Sequence, residues 1–320
     1  MEPIKIIEVK SEIAAGTRGA SLGIDAIKTA CLDKGSNYFL RHKQEVLETL
    51  NDILFQEDKH PHAKFIEGVY TMVKRVSKAI YSAYEEQFFP IVLAGDHSTS
   101  AGTIAGIKSA FPDKRLGVIW IDAHADIHSP FTTPSGNMHG MPLAMALNED
   151  NLTYKKNEVE EDTLLYWGKI KNIGIKGPKL KHKDLVYIGI RDFEPEEEYL
   201  ITKHQIKTFK TEDLRTMGIE KVTKETLNAL SSCDLIYISF DVDSIDPAIS
   251  EGTGTPVENG FTVEEALQLT TLLARDPRVC CWEMVEVNPT LDSLNLMAEN
   301  AFDILEAVTD ALINSRVRIG

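Results

Sequence analysis

LGVIWIDAHADIH, residues 116–128, sets a strand-like apolar run directly against a row of titratable side chains. Leu116–Ile121 has no polar position to turn toward solvent, the pattern of a strand covered on both faces. Asp122, His124, Asp126 and His128 follow at every second position. If the extended conformation continues, all four project from one face. A strand covered on both faces belongs to a parallel sheet with helices above and below it. The carboxyl edge of such a sheet is where loops converge and sites are built.

Outward from this stretch, the same pattern recurs. IKIIEV (Ile4–Val9), PIVLAG (Pro90–Gly95), LVYIGI (Leu185–Ile190), IKTF (Ile206–Phe209), LIYISF (Leu235–Phe240) and WEMVEV (Trp282–Val287) read as further strands, with helix-length segments between most of them. A polar, amphipathic region spans residues 37–87, and the spacing of VYTMVKRVSKAI in its second half predicts a surface helix. Residues 148–183 are polar and lysine-rich and read as an excursion within the same domain. No internal repeat, low-complexity tract or linker interrupts the chain. The expectation is one domain over residues 1–320, a three-layer α/β/α architecture with a mostly parallel central sheet.

Composition narrows the partners. Of 320 residues, 43% are hydrophobic and 26% charged, ordinary for a soluble globular chain. Lys and Arg number 34 against 49 Asp and Glu, a formal charge of −15. Such a surface argues against nucleic acid, because neutralising phosphates needs clustered cations. The four cysteines follow no metal-binding spacing, and Cys280 and Cys281 sit in the apolar segment RVCCWEMVEV as small hydrophobes. No apolar run is long enough to span a bilayer, and the opening MEPIKIIEVK lacks a signal-like core. The expected setting is the cytoplasm, with no membrane partner.

Polar clusters follow the strands in register: Asp96-His97-Ser98, Asp122–His128, Arg191-Asp192, Asp241-x-Asp243 and Glu286-x-Asn288. His97, Asp122, His124, Asp126, Asp241 and Asp243 make two imidazoles and four carboxylates with no thiolate. One divalent ion does not need that many anions, whereas two adjacent ions with bridging carboxylates do. Oxygen-rich ligation with some imidazole favours Mn²⁺ or Mg²⁺, and the histidines tilt the choice to Mn²⁺, with zinc, iron, cobalt and nickel as the alternatives. GDHS alone reads equally as an Asp-capped turn opening a helix. D-x-H-x-D straight after a buried strand has no comparable structural reading, because unpaired buried carboxylates are costly.

AGDHS (Ala94–Ser98), DAHAD (Asp122–Asp126) and SFDVDSIDP (Ser239–Pro247) resemble the metal-binding signatures of the ureohydrolase superfamily, the arginases and agmatinases. The resemblance runs from GTRGASLG near the start to EVNP at Glu286–Pro289, with Ala94 standing where many members have a second glycine. It implies an arginase-like fold and two Mn²⁺ per subunit. His97, Asp122, Asp126 and Asp241 would hold one ion; Asp122, His124, Asp241 and Asp243 would hold the other. A metal-bridging hydroxide would attack a guanidinium carbon, with Asp126 taking its proton, to release urea and an amine. The resemblance also implies a homo-oligomer, a trimer or hexamer.

Within the superfamily the pattern is nearest to arginase. PFTTPSGNMHGMP (Pro130–Pro142) resembles the arginase substrate loop, in which Ser135 and Asn137 would bind an α-carboxylate and His139 would shuttle a proton to the leaving amine. GIRDFEPEEEY (Gly189–Tyr199) resembles the segment that receives the α-amino group. Glu194 stands there in place of the usual Asp, with Glu197 behind it. Glu286 would grip the guanidinium, as a carboxylate can through two hydrogen bonds, and Thr255 would line the same pocket. His128 occupies a position that usually carries Asn. L-arginine, giving L-ornithine and urea, is the first expectation; agmatinase, guanidinobutyrase and formimidoylglutamase chemistry are the alternatives.

Overall fold

The computed structural model describes residues 3–317, so the first two and last three residues of the expected 1–320 domain lie outside the described residues. Among the described residues one eight-stranded sheet runs through the molecule: β1 (Ile4–Val9), β2 (Lys43–Val46), β3 (Phe89–Ala94), β4 (Leu116–Ile121), β5 (Leu185–Ile188), β6 (Lys207–Phe209), β7 (Leu235–Asp241) and β8 (Val279–Val285). The order across it is β2-β1-β3-β8-β7-β4-β5-β6, and every described pairing is parallel. The mostly parallel, helix-covered sheet read from the sequence is therefore present.

The core divides in two, one half on each face of the sheet, because strand side chains alternate. Ile119 and Ile121 of β4 join the cluster beneath the helices Gly23–Asp33, Val263–Ala274 and Leu296–Val317. Val118 and Trp120 join the other, under the helices Ile66–Glu85, Ser100–Ala110 and Glu161–Ile170. The helix expected from VYTMVKRVSKAI is Ile66–Glu85, and it buries Val69, Met72, Val73, Val76 and Ile80 at helical spacing. The lysine-rich excursion closes onto the same face through Trp167 and Ile170.

Two strand readings need correction. The expectation lacks β2 because KQEV has no apolar pattern: it is an edge strand, mostly exposed and, among the described residues, paired to β1 alone. A polar, charged edge of this kind resists pairing with another chain. β8 begins three residues before Trp282, taking in both buried cysteines, and ends at Val285 because Glu286 has φ 67°. That left-handed backbone is uncommon for a residue with a side chain.

Four of the strands that carry polar clusters, β3, β8, β7 and β4, are neighbours in the sheet, though their clusters are spread over nearly two hundred residues of sequence. All four run parallel, so their carboxyl ends open on one edge.

Candidate metal centre and substrate cleft

At the end of β3 the chain turns under crowding that only glycine fits: a Cβ on Gly95 would lie 2.3 Å from the Ser11 carbonyl oxygen. Asp96 then caps the turn, accepting the Ser98 N–H at 3.0 Å and the Ala14 N–H at 3.3 Å. Burial, then the charge of Glu286, pushes its carboxyl up to about 6. Both readings of GDHS hold at once, since Asp96 opens the helix and the next residue enters the site. The His97 ring stacks on Trp120 at 4.1 Å and its Nε2 lies 2.8 Å from Ser239 Oγ. With Nε2 as the donor, the Nδ1 lone pair faces inward, the orientation a ligating histidine needs.

That Nδ1 atom sits 3.1 Å from each of three carboxylate oxygens, on Asp122, Asp126 and Asp241. Among the described residues neither it nor Asp122 Oδ2 has a hydrogen-bond partner, and both are buried. Beside them, His124 Nδ1 is 2.9 Å from Asp243 Oδ2 and 3.5 Å from Asp122 Oδ1. Two three-residue donor sets result, His97-Asp122-Asp126 and Asp122-His124-Asp243, with Asp122 in both.

The extended conformation does not continue past β4, so the even alternation of Asp122, His124, Asp126 and His128 onto one face is not what unites them. The His124 N–H turns back onto Asp122 Oδ1 at 2.7 Å, and Asp126 has φ 50°. Backbone held in this region is a mark of sites whose surroundings impose it. Asp241 accepts the Asp243 N–H at 2.9 Å and Asp243 accepts the Ala123 N–H at 3.0 Å, which locks the β7 carboxylates against the β4 turn.

Four buried carboxylates against two imidazoles leave the group short of positive charge. Burial, reinforced by neighbouring aspartates, holds Asp126 and Asp241 above the usual carboxylate range and pushes Asp243 up to about 6. Burial alone would lower His97 and His124; the surrounding carboxylates outweigh it and raise both. Asp122 moves down, because its two histidine contacts outweigh its own burial. The donor set, the orphaned inward-facing atoms and the missing charge all fit a pair of divalent cations.

Above this floor opens a small cleft of about 110 Å³. His97, His124, Asp126, Asp241 and Asp243 form its base, and His128, Ser135, Asn137, His139, Glu194, Glu197 and Thr255 form its walls. Thr255 Oγ1 donates to Asp243 Oδ2 at 3.3 Å. Asn137 Oδ1 accepts from Lys64 Nζ at 3.1 Å, and Ser135 Oγ accepts the Asn137 N–H at 3.2 Å.

Glu286 is among the walls' supports rather than the walls. Only 3% exposed, it accepts the His97 N–H at 2.9 Å through Oε1, the same oxygen that lies 3.2 Å from His139 Nδ1.

His128 parts from the other three. Its Nδ1 lies 3.0 Å from Thr132 Oγ1, and its Nε2 lies 2.9 Å from Glu194 Oε2 and 3.4 Å from Glu197 Oε2. The His128 contact is the leading cause that draws the Glu194 carboxyl down to about 2. Glu197 is fixed from the other side, accepting the Ile127 and Glu194 N–H groups at 3.2 and 3.1 Å. The two positions that depart from the arginase pattern thus touch each other.

Sequence reasoning passed over three supports and gave a fourth, Arg191, no role. Ser239 orients His97 and Lys64 orients Asn137. Glu283, buried behind them, accepts from Ser100 Oγ at 3.0 Å and Tyr237 OH at 2.6 Å. Arg191 donates to the carbonyls of Gly189, Asp243, Val257 and Glu258 at 2.8–3.0 Å, tying three loops together. Ser239 lies inside a quoted motif. Arg191 is visible in the polar cluster after β5, but its carbonyl partners leave no pattern in a sequence.

A family model described as the arginase family matches residues 2–309. The arginase of Bacillus subtilis is 31% identical over 308 residues, covering 95% of this chain and 97% of its own. A crystal structure of arginase from Bacillus cereus superposes with a TM-score of 0.81 at 30% identity, covering 98% of each chain. That of Entamoeba histolytica arginase in complex with L-ornithine gives 0.81 at 25% identity, covering 96% of this chain and 97% of the other.

Proposed function

The chain belongs to the arginase family and is an amidinohydrolase, and on that premise we propose that it cleaves L-arginine to L-ornithine and urea with two Mn²⁺ ions per subunit. The observation that carries this reading is the pair of donor sets sharing Asp122 at the floor of a cleft. His97, Asp122, Asp126 and Asp241 would hold one ion and Asp122, His124, Asp241 and Asp243 the other. Such a pair, when bound, supplies a nucleophile from water at neutral pH and polarises the scissile group.

The chain's own residues do the rest. Asp126, at the base of the cleft and aimed by its left-handed backbone, takes the proton of the attacking water. His139 delivers a proton to the departing amine, its ring held by Glu286. Thr255 orients the guanidinium against the floor, and Glu286 acts from behind the wall through His97 and His139, which it holds in place. Ser135 and Asn137 offer donors to the α-carboxylate, which His128 joins only by releasing Thr132 or Glu194, while Glu194 and Glu197 receive the α-amino group. The chain acts as one domain, in a cytoplasmic trimer or hexamer as its family resemblance implies. No helix among the described residues is long and apolar enough to cross a membrane.

The contact between His128 and Glu194 favours a second reading. A carboxylate already engaged by an imidazole is a poorer acceptor for an α-ammonium, which suits a guanidino or formimino acid without one. A panel of L-arginine, agmatine, 4-guanidinobutyrate and formiminoglutamate with Mn²⁺ separates the two, scored by the amine released, with urea as co-product of the guanidino compounds and formamide of formiminoglutamate. Fastest turnover of L-arginine supports the first reading. Silence on arginine with turnover of another amidine replaces the substrate and keeps the chemistry.

A further inference from the structure

A second cluster of ligating side chains lies at the opposite edge of the sheet. His182 stands three residues before β5, His204 closes the helix Pro195–His204 three residues before β6, and Glu149 follows the helix Pro142–Leu147. These are amino-terminal ends of strands, whereas the floor of the cleft lies at carboxyl-terminal ends. The two imidazoles stack with centroids 3.6 Å apart and planes 10° from parallel. Glu149 Oε2 lies 3.4 Å from His182 Nε2 and 4.0 Å from His204 Nε2. Among the described residues both Nε2 atoms are buried without a hydrogen-bond partner.

Two buried ring nitrogens that share one distant carboxylate oxygen are poorly satisfied, and native interiors rarely keep even one such group. The carboxylate does not satisfy them, since its distances are long for a charge-assisted hydrogen bond. They are close to the separation of two ligands on one ion: tetrahedral coordination with bonds of about 2.1 Å has edges of about 3.4 Å. Glu149 is held for the task, because its other oxygen accepts the Asn151 N–H at 2.7 Å. The side chains keep 20% to 27% of their surface exposed, so an ion has a way in. The stack itself is not a finished chelate. One ring must turn before both lone pairs meet a single ion.

We propose that Glu149, His182 and His204 form a separate structural site for a divalent transition metal of the Zn²⁺ class. Two imidazoles and a carboxylate suit that borderline ion, with water completing the tetrahedron. Bound there, it pins the loop after Pro142–Leu147 to the starts of β5 and β6 on the far side of the sheet from the cleft.

The test is Zn²⁺ retention by the full chain, counted by mass spectrometry after desalting, in wild type, Glu149→Gln and His204→Ala. Wild type should keep one more Zn²⁺ per chain than either variant. Adding Zn²⁺ to the Mn²⁺-loaded protein should raise Tm in wild type by several degrees more than in the variants. Ions bound at the cleft are common to all three proteins and cancel in the difference. Glu149→Gln retains an oxygen for Asn151, so the result stands even where a histidine variant folds poorly. Equal Zn²⁺ counts and equal Tm rises in wild type and Glu149→Gln would overturn the proposal.

Discussion

The floor and the far wall of the cleft are made of the same residue types, histidine and carboxylates, yet they are put together on opposite principles. On the floor, His97 and His124 face more acid than they can neutralise, and their inward nitrogens meet carboxylate oxygens from several strands. The far wall is closed on itself. His128 spends both ring nitrogens on Thr132 and the Glu194–Glu197 pair, and Glu197 is further held by two backbone N–H groups. A group left short of positive charge is built to receive cations. A group already paired must give up a contact before it can receive anything, so affinity there depends on exchange.

The largest test of the floor is Asp241→Asn. An amide in place of a carboxylate that lies 3.1 Å from His97 Nδ1 removes the charge proposed to bridge the two ions and leaves the rest in place. Bound Mn²⁺ should fall from two per chain to one or none, and turnover should drop by about 10³-fold or more. Full activity with two ions retained would deny Asp241 its bridging part.

Chelation asks the same question of stability. Without cations, Asp243 at about 6 and Asp241 well above its ordinary value hold protons more tightly when folded than when unfolded. Folded stability of the chelated protein then falls as pH rises from about 4 through 6 and beyond. Loaded protein is spared this, and cations also bind better as the histidines lose protons. The Tm gap between loaded and chelated protein should therefore widen from pH 5 to pH 8. A gap that narrows would mean that the carboxylates find their compensation elsewhere.

Between floor and wall stands His139, on the short helical turn Met138–Gly140 and held there by Glu286. Its place is set by the loop and not by the sheet. His139→Asn should lower kcat by about 10²-fold or more while leaving bound Mn²⁺ at two per chain. Loss of metal in that variant would move His139 onto the floor.

The two regions also differ in how far the sequence discloses them. Short Val/Ile/Leu runs mark β4 and β7 because burial on both faces forbids polar positions, and D-x-H-x-D and D-x-D mark the floor because its ligands come in fixed short spacings. β2 stays hidden, since an exposed edge strand needs no apolar pattern. The end of β8 is hidden too, because the left-handed backbone of Glu286 is imposed by its surroundings. His128 and Glu194 are each visible as unusual residues, but their contact spans 66 positions of sequence and two separate loops. Long-range pairing of single side chains is the part of a site that spacing does not encode.

The smallest expected effect is the one that reads the wall directly. His128→Asn shortens the side chain, removes its reach to Glu194 and leaves a neutral donor at the carboxylate end. Glu194 loses the contact that chiefly holds its carboxyl at about 2, but at neutral pH it remains charged and becomes free to take an α-ammonium. L-arginine should gain relative to 5-guanidinopentanoate, which has the same carboxylate and no α-amino group, by about tenfold in the ratio of kcat/KM, one exposed charged contact's worth or slightly more. Bound metal should stay at two per chain, because the contacts of His128 are with Thr132, Glu194 and Glu197 and not with the floor. An unchanged ratio would mean that Glu194 already serves the ammonium with His128 in place, and the wall would then be open like the floor rather than closed on itself.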